Sequence, residues 1–244
     1  MEWLIARPVA HRGLHDGSNI IENTASAFTA AIAGRYGIEC DLQISADGEA
    51  MVHHDEALGR LAEGSARLDA VTAAELKRTP FKAGTDRMIT LGDLCDLTAG
   101  RTPLIIELKS HYDGDRRLVR RSTDVLSTYG GHAAVMSFDP VQMAMLCEIA
   151  PGIVRGIVAE RADQRYRQHG CFGAVRRGAA YCERLWRMRP QFVAYAINDL
   201  PAIMPTIARN VFKCPVLAWT VRNPLQREKA RRYADQIIFE GFQP

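Results

Sequence analysis

Long apolar runs are missing from this chain of 244 residues. None approaches the ~20 residues that a membrane-spanning helix requires, so no integral membrane segment is expected. The first ten residues include Glu2 and Arg7, which leaves no charge-free core for a secretory signal. Net charge is low as well, at a formal +3. That argues against a nucleic-acid partner, which calls for a stronger and more clustered basic surface. No Cys-x-x-Cys pair occurs among the six cysteines, Cys40, Cys95, Cys147, Cys171, Cys182 and Cys214. Most of them stand beside apolar residues, so they read as free thiols in a reducing compartment, and the expected location is cytoplasmic. Repeats of fixed period and low-complexity tracts are absent too. No Gly-x-Gly-x-x-Gly turn follows the first apolar run, which counts against an open dinucleotide-binding sheet.

What is present is a steady alternation. Hydrophobic residues make up 47% of the chain, enough for a sizeable core. Strands are expected at "LIARPVAH", "GIECDLQIS", "EAMVHHD", "TPLIIELK", "HAAVMSF", "GIVRGIVA", "QFVAYAI", "CPVLAWTV" and "ADQIIFE". Helical segments fall between most of them. "ENTASAFTAAIAG" has Asn23 or Thr24 as a candidate N-cap and Gly34 near its end, and "DPVQMAMLCEIA" and "PLQREKARRYA" follow later. Strands alternating with helices over this length point to a parallel α/β sheet, and about eight such units suit a (β/α)8 TIM barrel. Residues 56–90 break the rhythm. They are polar and glycine-dotted with one short helix at "TAAELKR", and read as a small insertion into a single domain spanning 1–244.

Chemistry-bearing residues collect at the ends of the early strands. Glu39 and Asp41 are two apart in a strand, so both carboxylates leave one face while Ile38, Cys40 and Leu42 leave the other. Carboxylates held together repel, and burial sharpens the repulsion. A hard divalent cation such as Mg²⁺ or Ca²⁺ relieves it; the alternative for this pair alone is a solvent-facing strand with two surface acids. Glu107 follows four apolar residues near the C-terminal end of its strand, where barrel active sites sit. Lys109, on the same face, would either pair with Glu107 or meet a phosphate as a point charge. In His53-His54-Asp55 only one imidazole can face the site, and Asp55 is placed to fix the ring of His54. His11 and His54 would then form an acid–base pair. A strictly alternating strand would send His11 and Arg12 to opposite faces, so the chain must end its strand or bend at His11, with Gly13 permitting the turn.

Several spaced motifs in order, "HRG…ENT", "IECDLQISADGEAMVHHDEALGR", "ITLGDL" and "LIIELK", resemble the glycerophosphodiester phosphodiesterase family. The resemblance is close over the first 110 residues and looser beyond them. It implies a TIM barrel with a small insertion, a divalent metal and hydrolysis of glycerol phosphodiesters to sn-glycerol 3-phosphate and an alcohol. By motif match it makes Glu39, Asp41 and Glu107 the metal ligands and His11 and His54 the acid–base pair. Arg12 and Lys109 become phosphate contacts, Glu22 of "ENT" a site residue, and Trp219 of "WTVRN" a surface for the glycerol. Three departures stand out: Ile21 in place of a proline before "ENT", Arg222 within "WTVRN", and "IIFEGFQP" in place of a C-terminal Thr-Asp.

Two other readings fit the same residues: lysophospholipase D-type hydrolysis of a longer lipid diester, and a barrel that binds a ligand without turnover. Retention of both histidines and all three acids weighs against the second. A phosphate-sugar isomerase barrel is disfavoured, because such sites seldom need the paired acid strand. Residues 155–189, with nine arginines and three acids, read either as a solvated helical face or as a basic mouth near anionic lipid, which leaves room for peripheral lipid contact.

Overall fold

The structure, a computed structural model, describes residues 1–161 and 187–244. Most of the arginine-rich segment 155–189, together with Cys171 and Cys182, lies outside the described residues. Eight parallel strands close into a barrel: β1 (Val9–Ala10), β2 (Gly37–Ile44), β4 (Leu104–Leu108), β5 (Ala133–Ser137), β6 (Val154–Ala159), β7 (Phe192–Ala196), β8 (Val216–Val221) and β9 (Gln236–Phe239). Closure is made by β1, where Val9 pairs with Gly37 on one side and with Ile238 on the other. The remaining strand, β3 (Ala50–Val52), is antiparallel to β2 and folds back through the Asp47-Gly48 turn. The alternating sequence is thus realised as a (β/α)8 barrel.

Helices fill the crossovers. Among the described residues these are α1 (Ala25–Ala33), α3 (Leu91–Thr98), α4 (Arg117–Leu126), α5 (Pro140–Ile149), α6 (Ile203–Asn210) and α7 (Pro224–Tyr233), with α2 (Ala73–Arg78) inside the segment 56–90. Their starts follow from sequence. Thr24, Thr90, Asp139 and Asn223 each accept a backbone N–H at the first turn, and Pro140 and Pro224 stand at the first helical position. The large apolar cluster lies between strands and helices and contains Ile38, Cys40, Leu42, Ile106 and Leu108. A second fills the lumen with residues of opposite parity, including Val9, Ile105, Met136 and Leu217. Gly156 is one way the lumen is filled, since a Cβ there would lie 2.5 Å from the Phe192 ring.

Two strands are shorter than the sequence suggests. The first is Val9–Ala10 alone, because residues 2–4 form a 3-10 turn that buries Leu4 in the lumen cluster and Pro8 has no N–H to give a ladder. β3 stops at Val52, before either histidine. Residues 56–90 gather Ala62, Leu68, Leu76, Phe81 and Met88 into a small cluster of their own with Met51. Ile21 is buried in that cluster, which gives the branched side chain before "ENT" a packing role that a proline ring would fill differently.

Candidate active site

Parallel pairing of β2 with β4 sets Asp41 beside Glu107, and Glu39 precedes Asp41 on the same face. One ligand atom from each of the three carboxylates lies within 4.8 Å of the others. All three are buried at 8% exposure or less. Nearby cations answer part of this charge. The Lys109 ammonium sits 2.7 Å from Asp41 Oδ1 and 2.7 Å from Glu107 Oε1. The Arg12 guanidinium has Nε 3.2 Å from Asp41 Oδ2, and its Nη1 donates to Glu22 Oε1 at 2.7 Å.

The end of β1 explains how Arg12 arrives there. The strand stops at Ala10, and Arg12 itself takes a left-handed conformation with φ of 55°, followed by Gly13 at 80°. The bend therefore starts one residue before the glycine. It swings the Arg12 N–H onto Glu39 Oε2 at 2.9 Å and leaves the His11 ring on the same side. Gly13 then passes so close to α1 that a Cβ would lie 2.8 Å from the backbone of Ala27. "ENT" divides its work among three side chains. Glu22 holds Arg12 and also accepts from Arg60 Nη2 at 2.7 Å. Asn23, at φ 56°, donates to Asp41 Oδ2 at 2.9 Å and accepts from the Asp41 N–H at 3.3 Å. Thr24 caps α1.

Each candidate histidine is backed by a carboxylate and an arginine. His54 Nδ1 lies 2.8 Å from Asp55 Oδ1, and Arg60 Nε donates to Asp55 Oδ2 at 2.6 Å. His11 Nδ1 lies 2.5 Å from Glu240 Oε2, and Arg222 Nε donates to Glu240 Oε1. With Nδ1–H given to the carboxylate, each ring keeps Nε2 as its free nitrogen, and that of His11 is 4.0 Å from Glu39 Oε2. His53, the other member of the histidine pair, is buried. His54 lines a cleft of about 580 Å³ together with Gln43, Glu107, Lys109, His111 and Phe138. Trp219 meets Phe138 edge-on at 5.6 Å, and its indole Nε1 is buried with no hydrogen-bond partner among the described residues.

Electrostatics follow from this packing. Burial and the charges of Asp41 and Glu107 push Glu39 well above the usual carboxylate range. Burial would raise Asp41 too, but Lys109 and Arg12 outweigh it and hold Asp41 far below that range. Burial would lower Lys109, yet Asp41 and Glu107 keep it above its ordinary value. Desolvation lowers His54, partly offset by Asp41. Glu240 and Asp55 are both drawn down to about 2 against burial, the first by His11 and Arg222, the second by Arg60 and His54.

Sequence reading named the three acids, both histidines, Arg12, Glu22 and Lys109, and the structure brings all of them to one mouth of the barrel. It missed Asn23, Arg60 and Glu240. Asn23 reads in the sequence only as a cap candidate. Arg60 meets Glu22 from 38 residues away and Glu240 meets His11 from 229, and only the acid standing in the expected Thr-Asp place points to the latter. In the loop "LHDGSNI", the adjacent His15 and Asp16 serve different ends. Asp16 Oδ1 gathers the N–H groups of Ser18, Asn19 and Ile20 and so shapes the loop. The His15 ring points to Glu240, with Nε2 3.9 Å from Oε2.

Known proteins resemble this chain along most of its length. Residues 11–239 match the model of the glycerophosphoryl diester phosphodiesterase family. A glycerophosphodiester phosphodiesterase of Caldanaerobacter subterraneus subsp. tengcongensis is 29% identical over 162 residues, 62% of this chain and 65% of the relative. One of Bacillus altitudinis is 30% identical over 156 residues, 59% of this chain and 62% of the relative. The matches thus span somewhat less than two thirds of these relatives' own length. Among solved structures, an Oleispira antarctica phosphodiesterase in complex with the product sn-glycerol-3-phosphate superposes with a TM-score of 0.77 at 21% identity, covering 95% of this chain and 91% of that one. A glycerophosphodiester phosphodiesterase from Thermotoga maritima gives 0.73 at 23% identity, over 96% and 94%. The barrel is therefore shared, and with its family model matched from His11 to Phe239 the chain belongs to the glycerophosphoryl diester phosphodiesterase family.

Proposed function

We propose that this chain is a metal-dependent phosphodiesterase that cleaves glycerophosphodiesters to sn-glycerol 3-phosphate and an alcohol. The observation that carries the reading is the charge balance at the mouth of the barrel. Glu39, Asp41 and Glu107 bring three carboxylates together, and Arg12 and Lys109 answer two of them. A divalent cation would turn the remaining negative charge into a single positive one, the complement of a phosphodiester monoanion.

The donor set fits such an ion. All three residues offer hard oxygens, and Asp41 Oδ1 is buried and makes no well-directed hydrogen bond although Lys109 is close. Burial first, and then the charges of Asp41 and Glu107, raise Glu39, a cost that a cation held among the three would relieve. Glu39, Asp41 and Glu107 would hold the cation, Mg²⁺ or Ca²⁺. When bound it would polarise a phosphoryl oxygen and acidify the attacking hydroxyl.

The chain's own groups do the rest. Arg12 and Lys109 face charge that develops on the phosphoryl oxygens. One imidazole Nε2 takes the proton of the nucleophile as its oxygen bonds to phosphorus. The other, entering as an imidazolium with protons on both nitrogens, gives its Nε2 proton to the alcohol oxygen as the bond from that oxygen to phosphorus breaks. Glu240 and Asp55 fix the tautomers that make this exchange possible. Glu22 holds Arg12 in place, and Trp219 with Phe138 offers an aromatic wall to the glycerol. Four described cysteines, Cys40, Cys95, Cys147 and Cys214, are free, which supports a reducing, cytoplasmic setting.

Chelation is the direct test. Glycerophosphocholine turnover should vanish with EDTA and return with Mg²⁺ or Ca²⁺. Full activity after exhaustive chelation would remove the metal from the reading. Absence of turnover on every glycerophosphodiester, metal supplied, would remove the substrate.

A further inference from the structure

The wall of the barrel formed by α6 and α7 has no part in the chemistry above, yet it is the least ordinary surface among the described residues. Helix α6 faces the wrong way for a core helix. Ile203, Met204 and Ile207 share one face, Val211 continues it in helical geometry, and all four are exposed, Ile203 by 77% and Val211 by 66%. Phe212 follows at 75%, and Leu225 at the start of α7 reaches 83%. Inward, the helix rests on Pro205 and on Arg209, whose guanidinium reaches Asp235 at 2.9 Å. No helix of the described residues is long and apolar enough to cross a membrane, so this stripe is a surface feature.

Charge on the same wall is lopsided. Apart from Arg222, which serves the His11 arm, residues 203–233 carry six cations, Arg209, Lys213, Arg227, Lys229, Arg231 and Arg232, and one acid, Glu228. The whole chain is only +3, so the rest of it is net negative. Arg209 and Arg231 have carboxylate partners. Lys213, Arg227, Lys229 and Arg232 pair with no acid among the described residues. The two helices adjoin: Arg209 Nη1 donates to the Arg232 carbonyl, and Lys229 Nζ to that of Asn198 just before α6.

We propose that this wall docks on an anionic lipid surface, with the α6 stripe in the acyl boundary and the unpaired cations among the headgroups. Exposed aliphatic side chains flanked by cations are what such a surface rewards, through burial and through attraction at each Lys or Arg. A second copy of the chain is the poorer occupant, because it would set one cationic wall against another. A nucleic acid is poorer still, since Ile203, Met204, Ile207 and Val211 have no use against phosphates and cannot stack on bases. The proposal is independent of the hydrolytic reading, as vesicle binding requires no turnover.

The test is co-sedimentation of the full chain with phosphatidylcholine vesicles, with and without phosphatidylglycerol. Binding should be at least about ten-fold stronger to the anionic vesicles and should weaken as salt is raised. Ile203→Ser combined with Ile207→Ser should lower it about ten-fold or more, as should Lys213→Glu combined with Arg227→Glu. Both variants should keep wild-type melting and wild-type turnover of a soluble diester. Equal binding to the two vesicle types overturns the proposal, and so does anionic binding that both double variants retain. Self-association by sedimentation velocity, lost in the isoleucine variant while vesicles are ignored, would assign the stripe to a second copy. An isoleucine variant that melts early, beside a charge variant that binds like wild type, would assign it to packing within the chain.

Discussion

Two histidine arms reach the barrel mouth, one after β1 and one after β3, and they are the same device made in two ways. In one, His54 leans on Asp55, its neighbour in sequence, and Arg60 holds the carboxylate from five residues on. In the other, His11 leans on Glu240, 229 residues away, and Arg222 holds that carboxylate from the end of β8. The first arm is local and folds with its loop. The second exists only once β9 has closed against β1. Equivalent chemistry thus rests on unequal amounts of folding, and each prediction below separates the arms or shows them to be interchangeable.

Removal of either imidazole should have the largest effect. His11→Ala and His54→Ala should each lower kcat/KM by about 10²–10⁴-fold. The double variant should fall little further, because an acid without its base is already disabled. A multiplicative loss, measured by steady-state rates on glycerophosphocholine, would show that the rings act separately and would break the pairing of the arms.

The unequal construction also accounts for what could be read from sequence. Glu39, Asp41 and Glu107 were legible because a strand repeats every two residues and an acid after "LII" has nowhere else to point. His54 and Asp55 were legible as neighbours. The bend at His11 followed from geometry alone, though the structure begins it at Arg12. Asn23 was hidden because its backbone place marks it as a cap while its side chain serves Asp41. Glu240 and Arg60 were hidden because nothing local relates them to His11 and Glu22; the barrel's closure and the folding of residues 56–90 do. The eight-strand architecture was legible from alternation. The shortness of β1 was not, since the burial of Leu4 under the lumen is a tertiary contact.

His53 supplies a third histidine, bonded to no carboxylate among the described residues, and so calibrates the other two. Burial lowers its pKa from 6.5 to about 4. Between those values the unfolded chain binds a proton that the native ring refuses, so stability must fall as pH drops from 6.5 towards 4. The full effect is about 3 kcal/mol. His53→Gln should flatten the slope of unfolding free energy against pH across that window, with urea titration as the measurement. An unchanged slope would mean that the ring is protonated in the native state and belongs with the acid–base pair.

Next in size come the carboxylates. Glu240→Gln and Asp55→Asn each keep shape and lose charge, and each should lower kcat on the order of 10–100-fold with little change in KM. Glu240→Asp should recover part of the loss only if the shorter side chain can still reach His11 Nδ1. The sharper contrast is structural. Asp55→Asn should leave the melting temperature near wild type, whereas Glu240→Gln removes a tie between β9 and β1 and should lower it. Equal melting of the two variants would show that the long-range arm adds nothing to barrel closure.

The smallest effect should come from the arginines, and here the two arms ought to diverge in kind. Arg222 and Arg60 are both about half exposed, at 54% and 46% of the side chain, so each ion pair is well screened. Arg222→Ala loses one contact to Glu240 and should lower kcat about two- to five-fold. Arg60→Ala loses Asp55 and Glu22 together, and Glu22 is what steadies Arg12 beside Asp41. Its loss should therefore reach the phosphate as well as the imidazole and raise KM while lowering kcat. Measuring both constants for the two variants decides the matter. A KM change confined to Arg60→Ala ties the insertion to substrate binding through Glu22 and Arg12. A KM change confined to Arg222→Ala would place the phosphate on the β8 side of the mouth instead.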